Sequence, residues 1–148
     1  MFHRGRFPAT APRIRRSQLN SRDFLSFDGL GLAELVRNRQ VSPRELVDIA
    51  VARIEQLNPS LNAVVHTMFD AARQQADRGA GNGMFAGVPM LLKDLLSWYA
   101  GERITSGSRL YRDFRAPEDT EVVKRYLTVA HECAEAAVAA VSLPQPAQ

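Results

Sequence analysis

The sequence predicts a predominantly helical fold with one or two strands, and three observations carry that reading. Apolar residues recur at helical spacing in three separate segments. One of these, SPRELVDIAVARIEQLNP at 42–59, bears a complete set of helix start and stop signals. A mostly apolar run of strand length, GVPMLLKDLLSW at 87–98, stands apart from them beside glycine and proline. At 148 residues, 45% hydrophobic and 24% charged, the composition is that of one globular domain and excludes collagenous, mucin-like or wholly disordered chains. A chain of this length buries about two-thirds of its unfolded surface, which allows a true core but not a multilayer enzyme fold of several hundred residues.

Residues 1–26 read as a flexible basic leader. Residues 1–22 hold six arginines and no acid, mixed with Pro, Gly and Ser and without a period of two or 3.6. The net charge of +3 is therefore uneven: beyond residue 22 there are 13 basic and 16 acidic residues. The basicity that would suggest a nucleic-acid binder belongs to the leader, and nucleic acid is not an expected partner of the body. Such a start also resembles an organelle transit peptide or a basic arm for nucleic acid or anionic lipid.

Asp28 is placed to cap a first helix over 29–39, with Leu32, Leu35 and Val36 as its apolar stripe. Next, Ser42 serves as N-cap, Pro43 occupies the first helical position, Glu45 completes a capping box and Asn58-Pro59 is the stop. Spacing assigns Leu46, Ile49, Ala50, Ile54 and Leu57 to the buried face and Arg44, Asp48, Arg53 and Glu55 to water. LNAVVH at 61–66 is short and β-branched, suited to a strand or an extended connection, and a third helix follows over 69–78. GAGNG at 79–83 is a joint whose glycines fit neither phosphate-loop spacing. Residues 101–119 are turn-rich. Asp119 or Thr120 then caps a last helix predicted from Thr120 to about Ser142, with Val122, Val123, Tyr126, Leu127, Ala130, Ala134, Ala137, Val138 and Val141 on its apolar face, Leu143-Pro144 as terminator and a frayed tail beyond.

Lys93 is the residue most suggestive of chemistry. Strand alternation sets Leu91, Lys93 and Leu95 on one face, so the amine projects from an apolar surface. A lysine deprived of water there is able to act as a general base near neutral pH, whereas a solvated lysine is not. Spacing alone equally fits a strand-end lysine that snorkels to water or pairs with Asp94. Of the three histidines, His3 sits in the leader, His66 after an apolar run and His131 on a helix, and none is a natural base for a serine triad. HECAE at 131–135 lacks the second histidine of a zinc helix, and the single Cys133 offers neither a disulfide nor a metal array, so neither metal nor cofactor is expected. No apolar run reaches the roughly 18 to 20 residues of a membrane-spanning helix and no signal-peptide core opens the chain. A reducing, cytoplasmic setting without membrane contact is the expectation.

In order along the chain, SPRELVDIAVARIEQLNPSLNAVV, AGVPMLLKD and AGERITSGSRLYRDFRAPEDTEVVKRY resemble the N-terminal third of the amidase signature family, over about residues 27–127. The resemblance implies an incomplete N-terminal portion of that α/β fold and hydrolysis of a small-molecule amide by a serine, cis-serine, lysine triad. It implies that Lys93 is the base taking a proton from the bridging serine, that Asp94 helps to hold the lysine, and that Ser108 stands close behind it. The family's downstream glycine- and serine-rich segment, which carries both catalytic serines and the oxyanion amides, has no counterpart in these residues. After Ala130 the chain turns into the unfamiliar HECAEAAVAAVSLPQPAQ. The expected organisation is thus leader 1–26, partial amidase-like domain 27–128 and divergent helical tail 129–148.

A truncated or frameshifted gene and a genuine short protein both fit this pattern, the former better. Either way the isolated chain is expected to be catalytically silent and to self-associate through an exposed sheet edge. The competing expectation is a non-enzymatic helical interaction module that uses its Arg-rich arm.

Overall fold

The computed structural model describes residues 19–131 and 137–141, with residues 129–131 and 137–141 described through their backbone. Most of the leader with His3, residues 132–136 with Cys133 and most of the HECAE stretch, and residues 142–148 with Leu143-Pro144 lie outside the described residues.

Five helices and three strands follow one another among the described residues: α1 Ser21–Ser26, α2 Gly29–Arg37, α3 Pro43–Leu61, β1 Val64–Thr67, α4 Phe69–Asp77, β2 Met90–Lys93, α5 Glu121–His131 and β3 Ala137–Val141. The first helix departs from the expected flexible leader over 1–26. The Asn20 side chain accepts from the backbone N–H groups of Arg22 and Asp23, both at 2.9 Å, and Leu19 and Phe24 pack onto the core beneath. A helix of six residues does not stand by itself in water, so this packing is what sustains it.

The punctuation of the next two helices is realised in hydrogen bonds. Asp28 accepts from Gly31 N at 2.8 Å. Ser42 Oγ accepts from Glu45 N at 3.2 Å while the Glu45 carboxylate takes the Ser42 N–H at 2.7 Å, a reciprocal capping box. The expected stop at Asn58-Pro59 is passed: α3 runs on to Leu61 and closes at Asn62, whose left-handed backbone (φ 47°, ψ 37°) lets its N–H reach Asn58 O at 2.7 Å. So close to the end, Pro59 forfeits a single helical hydrogen bond. Asn58 instead brackets the turn into β1, accepting from Val64 N at 2.8 Å and donating to Val64 O at 2.9 Å.

The buried stripe of α3 is also rotated from the expected one. Leu46, Val47 and Val51 are buried, Ile49, Ala50 and Ile54 are half-buried, and Leu57 is exposed. The reason is that α3 serves two cores. Leu46 joins Leu32, Leu35, Val36 and Val41 on one side, while Val47 and Val51 join Ala72 and Ala76 of α4 on the other.

The last helix is shorter than its predicted span to about Ser142. It stops at His131, and residues 137–141 form β3, the central strand of a sheet ordered β1-β3-β2. β3 runs antiparallel to β1 (Val64 opposite Val141) and parallel to β2 (Leu92 opposite Ala140, Lys93 opposite Val141). Ala-Val-Ala-Ala-Val satisfies a 3.6 period and a short buried strand alike, and pairing on both sides, which satisfies the backbone groups of a central strand, decides between them. The sheet therefore has three strands rather than one or two. A third core of Met68, Leu92 and Val123, with Met90, Tyr99 and Leu127 against it, joins β2 to α5 and to the start of α4.

Candidate active site

The lysine strand is positioned from both ends. Upstream, Gly87 adopts φ +75°, and a Cβ there would lie 2.9 Å from Pro43 Cγ and 3.1 Å from Val36 Cγ1, so the segment leading into β2 is pressed against the junction of α2 and α3. Downstream, Leu95 N donates to Lys93 O at 2.8 Å and ends the strand in a tight turn.

Between these points the side chains alternate. Leu92 and Asp94 face inward and are buried, whereas Leu91, Lys93 and Leu95 share the opposite face. Leu91 is 50% exposed and Leu95 47%, and Leu96, just past the turn, is 71% exposed. Lys93 stands on this apolar face, and its amine has no hydrogen-bond or ion-pair partner among the described residues. An apolar groove of about 300 Å³, walled by Phe24, Ile54, Leu57, Leu61 and Pro89, reaches Leu91 but not Lys93.

Asp94 lies on the other side of the strand from the amine it was expected to hold. It is 2% exposed, and its carboxylate accepts from Thr105 N at 2.7 Å and from Thr105 Oγ1 at 2.5 Å. Thr105 Oγ1 in turn accepts from Gly107 N at 3.3 Å, and Ser106 Oγ donates to Leu95 O at 3.2 Å. Two left-handed residues, Ser106 (φ 50°) and Gly107 (φ 69°), fold this turn back on itself. Ser108 shapes the same turn: its N–H donates to Thr105 O at 2.9 Å, and its hydroxyl accepts from Leu110 N at 3.2 Å to cap the short 3-10 turn Arg109–Tyr111. The structure thus joins Asp94 and Ser108 through Thr105 and leaves Lys93 on the far face.

Sequence reasoning passed over Thr105. The signal was present as a hydroxyl residue opening a Ser-Gly-Ser turn, which is a local hydrogen-bonding pattern, but its partner eleven positions back is fixed only by the fold. Nearby, His66 Nε2 and Glu102 Oε2 are 2.6 Å apart and Arg103 donates to Val65 O at 3.0 Å, which ties β1 to the same loop region. Among the described residues no group of three His, Cys, Asp or Glu is placed to hold a metal ion, and no helix is long and apolar enough to cross a membrane.

A strand ending in an unpaired lysine, with a buried aspartate tied to a Thr-Ser-Gly-Ser turn behind it, lies inside the segment 45–129 that matches the amidase family. That segment is more than half of the chain, and the chain belongs to the amidase family. The 6-aminohexanoate-cyclic-dimer hydrolase of Paenarthrobacter ureafaciens is 37% identical over 100 residues, which cover 66% of this chain and 20% of that protein. The lipoamidase of Enterococcus faecalis is 38% identical over 109 residues, covering 73% of this chain and 15% of that one. Among solved structures, 6-aminohexanoate cyclic dimer hydrolase complexed with substrate superimposes with a TM-score of 0.70 at 33% identity, over 81% of this chain and 24% of that one. The fold is thus that of part of an amidase-signature α/β enzyme, and the chain spans between 15% and 20% of the length of these two curated relatives.

Proposed function

We propose that this chain supplies the lysine-bearing N-terminal portion of an amide hydrolase, with Lys93 as the general base, and that the described portion is silent by itself. The observation that carries the reading is the placement of Lys93 at the end of β2, unpaired, on a face with Leu91 and Leu95. Covering that face with further protein would shut the amine away from water and leave a hydroxyl of the covering portion as its partner. The hydroxyl would be the bridging serine of the triad, which would then deprotonate the serine that attacks the amide carbonyl. These serines and the oxyanion amides would come from the downstream portion, and without them the lysine has nothing to activate. The substrate would be a small-molecule amide. Left uncovered, the same face and the free edge of β2 would drive self-association.

The test joins residues 1–127 of this chain to the downstream portion of 6-aminohexanoate-cyclic-dimer hydrolase and assays the cyclic dimer beside a panel of small amides. Hydrolysis is expected, and Lys93→Ala is expected to lower kcat by about 10²- to 10⁴-fold. A Lys93→Ala chimera as active as its parent overturns the assignment.

A further inference from the structure

We infer that Asp94 is a positioning residue which acts on Lys93 through the main chain, by clamping the Thr105 turn to the strand end, and not through the lysine amine. The inference rests on the reading of Lys93 as the base. Three observations support it. Consecutive strand residues point to opposite faces, and Asp94 is the inward neighbour of the outward Lys93. Among the described residues Asp94 is the one buried charged side chain, and both of its carboxylate oxygens are engaged by Thr105, one by the backbone N–H and the other by the hydroxyl. The bond from Ser106 Oγ to Leu95 O adds a second tie one residue further on, so residues 94 and 95 are held directly after the lysine.

A buried carboxylate is costly unless its acceptors are filled. Thr105 fills them here, and the turn that follows holds Ser106, a non-glycine residue, in the left-handed region (φ 50°). The geometry therefore commits a charge, a backbone donor and backbone strain to fixing the direction in which the strand leaves Lys93. A base must meet its proton donor at hydrogen-bond distance, and a displacement of about 1 Å costs on the order of 10²-fold in rate.

The test uses two preparations: the chimera for kinetics and the 148-residue chain for amide exchange. In the chimera Asp94→Ala is expected to lower kcat about 10- to 100-fold, with the midpoint of the pH–rate profile unmoved. Thr105→Val should lower kcat in the same direction, Thr105→Ser should restore it, and the Asp94→Ala/Thr105→Val double variant should be no worse than Asp94→Ala. In the 148-residue chain Asp94→Ala should abolish exchange protection of the Thr105 and Gly107 amides.

Parental kcat in Asp94→Ala, or unchanged protection at Thr105, overturns the clamp. A shifted pH–rate midpoint in Asp94→Ala overturns it in favour of a direct charge effect on the amine. Should Asp94→Ala fail to fold, equal kcat for Thr105→Val and Thr105→Ser overturns it. An active Lys93→Ala chimera removes the base while the exchange measurement still reads the clamp, so the two failures are distinct.

Discussion

The helical layer α1–α4 and the lysine strand β2 are built from similarly apolar residues but close differently. In the helical layer Leu35, Leu46, Val47 and Val51 are fully buried in two cores that share α3, while Leu25, Leu30, Leu57 and Leu61 remain exposed. Around Lys93 one face of the strand is equally well sealed through Leu92 and Asp94, but the other leaves Leu91, Leu95 and Leu96 in water. Scattered exposed leucines are ordinary on a protein surface; what sets β2 apart is that Leu91 and Leu95 flank an amine without a partner among the described residues, on the face that the proposed downstream portion would cover. The helical layer buries two cores that share α3, whereas β2 buries one face and leaves the lysine face exposed.

The sharpest way to break that contrast is to shorten one leucine in each region. Leu46→Ala should lower the unfolding free energy by about 2–5 kcal/mol, since the cavity cannot collapse between two packed helices. Leu96→Ala, at 71% exposure, should change it by less than about 0.5 kcal/mol. Urea titrations of the two variants against the parent chain read the difference. Equal losses would mean that the lysine face is already covered, by a second copy or by a segment of the chain itself.

A middle-sized effect tests how the two regions are joined. Gly87→Ala forces a side chain at φ +75° into Pro43 and Val36, where the loop entering β2 meets the helical layer. Gly79→Ala is the control, because Gly79 also has positive φ (+99°) but nothing lies within 4 Å of its Cβ position. The control should cost about 1–2 kcal/mol from backbone strain alone. Gly87→Ala should cost about 1–3 kcal/mol more, because the packed helix junction has little room to yield. Equal midpoints in urea would show that the seam is loose and that β2 is placed from its downstream end only.

The same division separates what the sequence disclosed from what it withheld. The helical layer was legible because its signals are local. Asp28, Ser42 and Glu45 cap helices through residues three positions away, and the face of α2 is set by its own spacing. Lys93 was legible as a strand residue facing away from Leu92, and the family followed from motif order. What escaped depends on distant partners. Pro59 is tolerated because Asn58 and Asn62 rebuild the end of α3 around β1. Residues 137–141 form a strand because β1 and β2 flank them, although their own pattern fits a helix. Asp94 turns to Thr105 and not to its neighbour in sequence, since strand geometry sets adjacent side chains on opposite faces.

The smallest expected effect concerns charge in the helical layer. Asp48, read as a water-facing residue of α3, sits between two arginines: Arg73 Nε donates to it at 2.9 Å and Arg44 Nε at 3.0 Å, and Arg44 also reaches Asp77 at 2.7 Å. Partial burial pushes the Asp48 carboxyl up, but hydrogen bonds from Arg73 and Arg44 outweigh it and hold the group below its ordinary value of 3.8. A carboxyl depressed in the folded state contributes stability above its unfolded value, and that contribution is lost as pH falls through the folded one. Asp48→Asn should therefore cost less than about 1 kcal/mol at neutral pH, because the site remains half open to solvent. The gap to the parent chain should narrow below pH 3.8 and shrink with added salt. Urea midpoints of the two proteins between neutral and acid pH measure it. A gap that is constant with pH would assign the loss to altered packing between α3 and α4, and the helical layer would then owe its closure to its apolar cores alone.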